Sequence, residues 1–181
     1  MRKIIYTIIG LLGLGLSSCD SFLDTMPDNR AEVDSPDKVQ KLLVSAYPSA
    51  SYILFCEISS DNVDKTGEFN PNGSMFTDQI YHWEDIKESN NEAPKNFWAG
   101  CYGAIASANQ ALQAIDELGN TDELQGSRAE ALLSRAYSHF LLVNVFGQHY
   151  SPEHSATDLG IHYMTAPETT LDPKYERETV L

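Results

Sequence analysis

Tyr81-His82-Trp83 is the stretch whose residue types best suit ligand chemistry. A sugar ring presents axial C–H groups to a flat aromatic face, while its hydroxyls need polar partners close by. Asn70, Asn72 and Asp78 lie near in sequence and supply such partners. Trp83, with Tyr81 beside it and Asn72 as a polar neighbour, is the candidate sugar site. The opposing reading, in which Trp83 packs against the fold, stays open on sequence alone. No catalytic constellation stands out. There is no nucleophile elbow, no phosphate-binding glycine loop and no zinc-type motif, and nothing singles out one pair among the many carboxylates. The expectation is a protein that is not an enzyme and uses no cofactor. His139, His149, His154 and His162 are spaced by 10, 5 and 8 residues, which puts them on no common face, so no metal site is expected. Cys56 and Cys101 read as unpaired buried thiols packing as small hydrophobes. Trp98 reads as core. Arg135 reads as half of a structural ion pair with Glu130 or Asp61.

The third cysteine, Cys19, has a different setting. Arg2 and Lys3 precede an apolar run of 13 residues, Ile4 to Leu16, too short to span a bilayer and the right size for the core of a signal peptide. Leu16-Ser17-Ser18-Cys19 follows at once and resembles the bacterial lipobox, whose Cys is lipidated and becomes N-terminal on cleavage. Several acyl chains on Cys19 give stable anchoring where one gives marginal binding. The expected organisation is a lipoprotein signal peptide at 1–18, a polar tether at 19–34, and a helical domain at 35–181. Removing residues 1–18 takes away two cations and no anions, leaving 10 basic against 26 acidic side chains, a net charge of −16. Such a charge argues against nucleic acid, whose binders carry basic patches. It also argues against adhesion to anionic lipid through charge.

The elements that must position these residues are helices. Pro94 opens one, and Phe97, Trp98, Cys101, Tyr102, Ile105, Ala108, Leu112, Ile115 and Leu118 follow at three- and four-residue steps. Gly119 and Asn120 tolerate the left-handed backbone that ends a helix. Thr121 suits an N-cap, and Leu124, Arg128, Leu132, Arg135, Ala136, Phe140, Val143 and Phe146 form the expected inner face of a second helix that Gly147 ends. A turn so short makes the pair antiparallel. Ser35-Pro36-Asp37 starts an earlier helix that runs to Pro48. Tyr52 to Ile58 is helix or strand by periodicity. Residues 59–74 read as loop, and 148–181 as weakly patterned. The fold class is all-α: tetratricopeptide-like helical hairpins with long irregular loops, although only Ala136-x3-Phe140 matches the repeat signature.

Several stretches together resemble the SusD/RagB family of surface nutrient-binding lipoproteins. Cys19-Asp20-Ser21-Phe22-Leu23-Asp24 with Pro27 is similar to the family's opening. Asn96-Phe97-Trp98, Tyr102, Ile105 and Ala108-Asn109 resemble its first long helix. Ala129-Glu130-Ala131, Arg135-Ala136, Phe140 and Phe146-Gly147 resemble its second. Gly160-Ile161 with Pro167 looks like the next loop, and Arg177-Glu178-Thr179-Val180 like the start of a further helix. The resemblance covers residues 16–181 and matches the N-terminal part of longer proteins, so the chain is expected to be a truncated SusD-like domain. It implies an outer-membrane lipoprotein, facing the cell exterior, that binds oligosaccharide or another nutrient and partners a TonB-dependent transporter. The alternatives are a helical protein-interaction scaffold without sugar binding, a lipid-anchored hydrolase with unrecognised carboxylates, and a non-functional fragment of a longer lipoprotein.

Overall fold

The computed structural model describes residues 32–64, 67, 73–87, 90–170 and 178–180. Cys19, the segment 1–18 and most of the expected tether lie outside the described residues, as do Asn70, Asn72 and Arg177. The described residues form α1 (Pro36–Leu43), α2 (Ile53–Ile58), α3 (Met75–Tyr81), α4 (Pro94–Glu117), a 3-10 turn (Asp122–Leu124) and α5 (Gln125–Phe146). Their one β-type pairing is an isolated antiparallel bridge between Leu159 and Thr179. The all-α reading holds.

Helix α4 follows its sequence pattern. Pro94 sits in the first turn, and Phe97, Cys101, Ile105, Ala108, Leu112 and Ile115 are buried. The helix ends as its residues require. Gly119 and Asn120 take φ +85° and +51°. The Gly119 N–H donates to Asp116 C=O at 3.1 Å and the Asn120 N–H to Ile115 C=O at 2.9 Å, the paired bonds of a Schellman motif. Thr121 caps the 3-10 turn through its backbone, without a side-chain bond. Arg128 then reaches back across the hairpin to Asp116 at 2.6 Å.

Helix α5 corrects the expected inner face. Its buried residues are Ser127, Ala131, Ser134, Ser138, His139, Leu141 and Leu142. Leu132, Leu133, Tyr137 and Phe140 are exposed, Phe140 at 61%. As far as Ser138 the helix carries two stripes, one of large apolar side chains and one of small ones, and beyond it His139, Leu141 and Leu142 continue the buried face. Hydropathy favours the large stripe, but the small one lets α5 approach Ala104, Ala108 and Ala111 of α4, which are themselves fully buried. Close backbone approach recovers the dispersion that the small side chains lack. The Ser134 hydroxyl also donates to the Ala46 carbonyl just beyond α1.

Two other expectations change. Helix α1 stops at Leu43, short of Pro48, and Ser35 makes no side-chain cap. Residues 178–180 do not open a helix: Gly160 N–H donates to Glu178 C=O at 2.7 Å and Val180 N–H to Asp158 C=O at 3.0 Å. A Cβ on Gly160 would lie 2.9 Å from the Thr179 carbonyl oxygen, so this pairing needs a glycine. The ambiguous stretch before Ile58 is helical, because Phe55 is drawn into the aromatic cluster around Phe97.

The core has two parts. Near the hairpin turn, Val39, Leu43 and Ala46 pack on Ala108, Leu112, Ile115, Leu124 and Ala131. Towards the open end, Phe55, Phe76, Ile80, Phe97, Ile105, Leu141, Leu142 and Ile161 form the second. This second part supports both concave surfaces described below.

Candidate functional site

Helix α3 presents the candidate aromatic. It starts with a capping box, in which Ser74 Oγ accepts from the Thr77 N–H at 3.2 Å and Thr77 Oγ1 accepts from the Ser74 N–H at 2.9 Å. It ends in a second Schellman motif: Trp83 N–H donates to Ile80 C=O at 3.1 Å, and Glu84 N–H to Gln79 C=O at 2.8 Å. The position that Gly119 fills after α4 is filled here by Trp83, at φ +56°. A bulky residue in that conformation is strained, since its Cβ crowds the following carbonyl. Its ring gains little packing in return, being 79% exposed. Gln79 is buried and accepts the Lys87 N–H at 3.1 Å, which steadies the turn after Trp83.

Trp83 stands on a groove of about 470 Å³ with Phe55, Cys56, Ile80, Ile86 and Phe146 on its apolar side and Ser59, Ser60 and Glu84 on its polar side. Tyr81 does not line the groove. Its ring meets His82 edge-on at 5.1 Å, and its phenol lies 3.4 Å from Asp64 Oδ1. Asp78 is exposed on α3. Of the three residues singled out in sequence, the structure thus places Trp83 on the groove and Tyr81 beside it, while Asn72 is outside the described residues.

A second cavity, about 660 Å³, lies between α4 and the strap formed by residues 160–168. Trp98, Tyr102, Ile105 and Phe146 line one side, and His162, Met164, Ala166 and Glu168 the other. Trp98, expected in the core, is half-buried in this wall, edge-on to Phe146 at 5.0 Å. A polar network fastens the strap to the hairpin. Tyr102 donates its phenol proton to His162 C=O at 2.9 Å. Asn109, almost fully buried in α4, donates to the carbonyls of Met164 and Ala166, both at 3.2 Å. Arg135 donates to Asn109 Oδ1 at 2.9 Å and to Thr165 C=O at 3.0 Å. The expected partners Glu130 and Asp61 are replaced by this arrangement, and Glu130 instead accepts from Tyr47 at 2.7 Å. Strap carbonyls need donors, and Arg135 and Asn109 supply them. The sequence signal for the network was a polar residue in register with each buried stripe: Asn109 in α4, His139 in α5.

The remaining candidates are separate. Among the described residues no three metal-ligating side chains come together. His149 and His154 are exposed, His162 is on the strap, and His139 is buried. Cys56 and Cys101 are both free. Burial pushes the Cys101 thiol up to about 11, and the Cys56 thiol is raised for the same reason, so neither is a ready thiolate near neutral pH. No helix among the described residues is long and apolar enough to cross a membrane.

Comparison with known proteins adds one positive finding. Residues 21–181 match the family SusD-like_3, described as starch-binding associating with outer membrane. No curated protein matches the chain. The family match spans the helical hairpin, the Trp83 groove and the strap alike, and on that breadth the chain belongs to the SusD-like family.

Proposed function

We propose that this chain binds oligosaccharide at the outer membrane, with Trp83 as the stacking platform, and partners a TonB-dependent transporter in uptake. In this reading Cys19 carries the lipid anchor, and the domain faces the cell exterior on the tether that follows. The family description supports starch-like glycan as the ligand class and the outer membrane as the place. It describes binding rather than catalysis, in keeping with a role without chemistry.

The observation that carries the reading is the placement of Trp83. A glycine-type backbone position holds the largest side chain there is, strained and left in solvent at 79% exposure. Folding gains nothing from that choice, and strain of this kind concentrates at sites of function. The flat ring offers a face for the C–H side of a sugar, while Ser59, Ser60 and Glu84 offer hydroxyl partners along the same groove. Tyr81, two residues before Trp83, and Asn72 belong to the proposal on their nearness in sequence alone. Trp83 fluorescence should respond to added maltooligosaccharide, and the response should vanish in Trp83→Phe. A wild-type signal that never changes counts against the proposal.

A second reading, a helical scaffold that binds protein and no sugar, is favoured by one feature. The outer face of α5 carries Leu133, Tyr137 and Phe140 exposed at 71%, 49% and 61%. Contiguous apolar surface of this kind marks interaction sites. Sugar binding lost on removal of the Trp83 ring separates the two readings.

A further inference from the structure

We propose that His139 is a proton-operated latch that holds the 160–168 strap against the hairpin and lets it lift, opening the aromatic-lined cavity, when the imidazole is protonated.

The tautomer follows from the partners. Met164 N–H is a donor only, and it points at His139 Nε2 at 3.0 Å. Nε2 must therefore accept, and the single ring proton of the neutral imidazole sits on Nδ1. Nδ1 lies 2.9 Å from the Arg135 carbonyl oxygen, to which that proton is donated. Both nitrogens are satisfied only in the neutral form. A second proton can attach only at Nε2, where it meets the Met164 N–H head-on. That bond is then lost, and two donors face each other in a buried site.

Burial biases the ring towards the neutral state, while the groups around it act in both directions. The bond to the Arg135 carbonyl favours a positive charge there, the Arg135 guanidinium opposes one, Glu178 favours one and His162 on the strap opposes one. Burial is the largest influence, and the balance holds His139 below the ordinary histidine value of 6.5. Tyr163 of the strap packs its ring 4.4 Å from the imidazole. Tyr102 of α4 binds the same strap through His162 C=O. Glu178 ties the 178–180 segment in, accepting from Tyr163 N–H at 3.2 Å and standing 3.8 Å from His162 Nδ1. A folded-state value below the unfolded one means that the closed strap binds fewer protons than the open one. Closure is therefore fully favoured above about pH 6.5 and weakens as pH falls towards the lower folded value. His162, Met164 and Ala166 form one wall of the cavity and Trp98 and Tyr102 the other, so release of the strap exposes Trp98.

Amide exchange on the full chain, corrected for intrinsic rates, tests this between about pH 7.5 and about pH 5, the range of histidine titration. Protection of the Met164 amide should fall by up to about tenfold per pH unit, the limit for one coupled proton. The α4 and α5 amides should keep theirs. His139→Gln should remove the pH dependence, and His162→Gln should retain it. In a Trp83→Phe background Trp98 is the only tryptophan, and its emission should shift to the red over the same range. Strap protection that is flat with pH overturns the latch, as does a dependence that survives His139→Gln. If His139→Gln does not fold, the wild-type ring nitrogen shifts decide: a proton on Nε2 at about pH 7.5 overturns it.

Discussion

Trp83→Gly should stabilise the fold, although it removes one of only two tryptophans. Trp83 and Gly119 occupy the same position in two Schellman motifs, at φ +56° and +85°. The left-handed backbone costs a residue with a Cβ about 1–2 kcal/mol. Relief of that strain is offset by the greater freedom of glycine in the unfolded chain, about 0.5–1 kcal/mol. The ring is mostly in solvent, so little packing is lost. The net expectation is a gain of about 0.5–1 kcal/mol. The mirror experiment is Gly119→Ala. A Cβ there meets nothing within 4 Å, so backbone strain acts alone and the sign reverses, with a loss of about 1 kcal/mol. Urea melts followed by far-UV circular dichroism read both changes as shifts in midpoint at constant slope. A loss of more than about 1 kcal/mol in Trp83→Gly would refute the reasoning, because it would mean that the ring packs rather than waits in solvent.

The small-residue face of α5 yields two further expectations. Phe97 is fully buried against Tyr52, Phe55 and Phe146, so Phe97→Ala should cost about 3–5 kcal/mol, whereas Phe140→Ala should cost under about 0.5 kcal/mol; equal losses would restore the large stripe as the inner face. Ser138 Oγ is buried with no hydrogen-bond partner among the described residues, so Ser138→Ala should gain about 1 kcal/mol in the same melts, and a comparable loss would point to a partner.

Much of the hairpin was legible in the sequence because its signals are local. Pro94, the α4 stripe and the Gly119-Asn120 stop each act within a turn or two of themselves. The face of α5 was not legible, because its choice depends on how near α4 can come, and that is set by Ala104, Ala108 and Ala111 on another helix. The Arg135 partners were missed for a related reason: they are the side-chain amide of Asn109 on α4 and the Thr165 carbonyl that the strap brings in, and no charge pattern announces them. At the candidate site, the residue type at Trp83 was readable and its importance was not. Its left-handed backbone shows only once Glu84 is seen bonding back to Gln79. Residues 178–180 read as a helix start by resemblance, but their backbone groups are taken by residues 158–161.

The central claim is that Trp83 is kept for a ligand. Calorimetric titration of maltooligosaccharides into the wild-type chain and into Trp83→Gly tests it most directly, because that variant should be folded at least as well. The prediction is measurable binding to wild type and affinity weaker by about tenfold or more in the variant, equivalent to about 1.4 kcal/mol or more of lost stacking. Equal affinity in the two proteins, or no heat of binding from wild type, would contradict it.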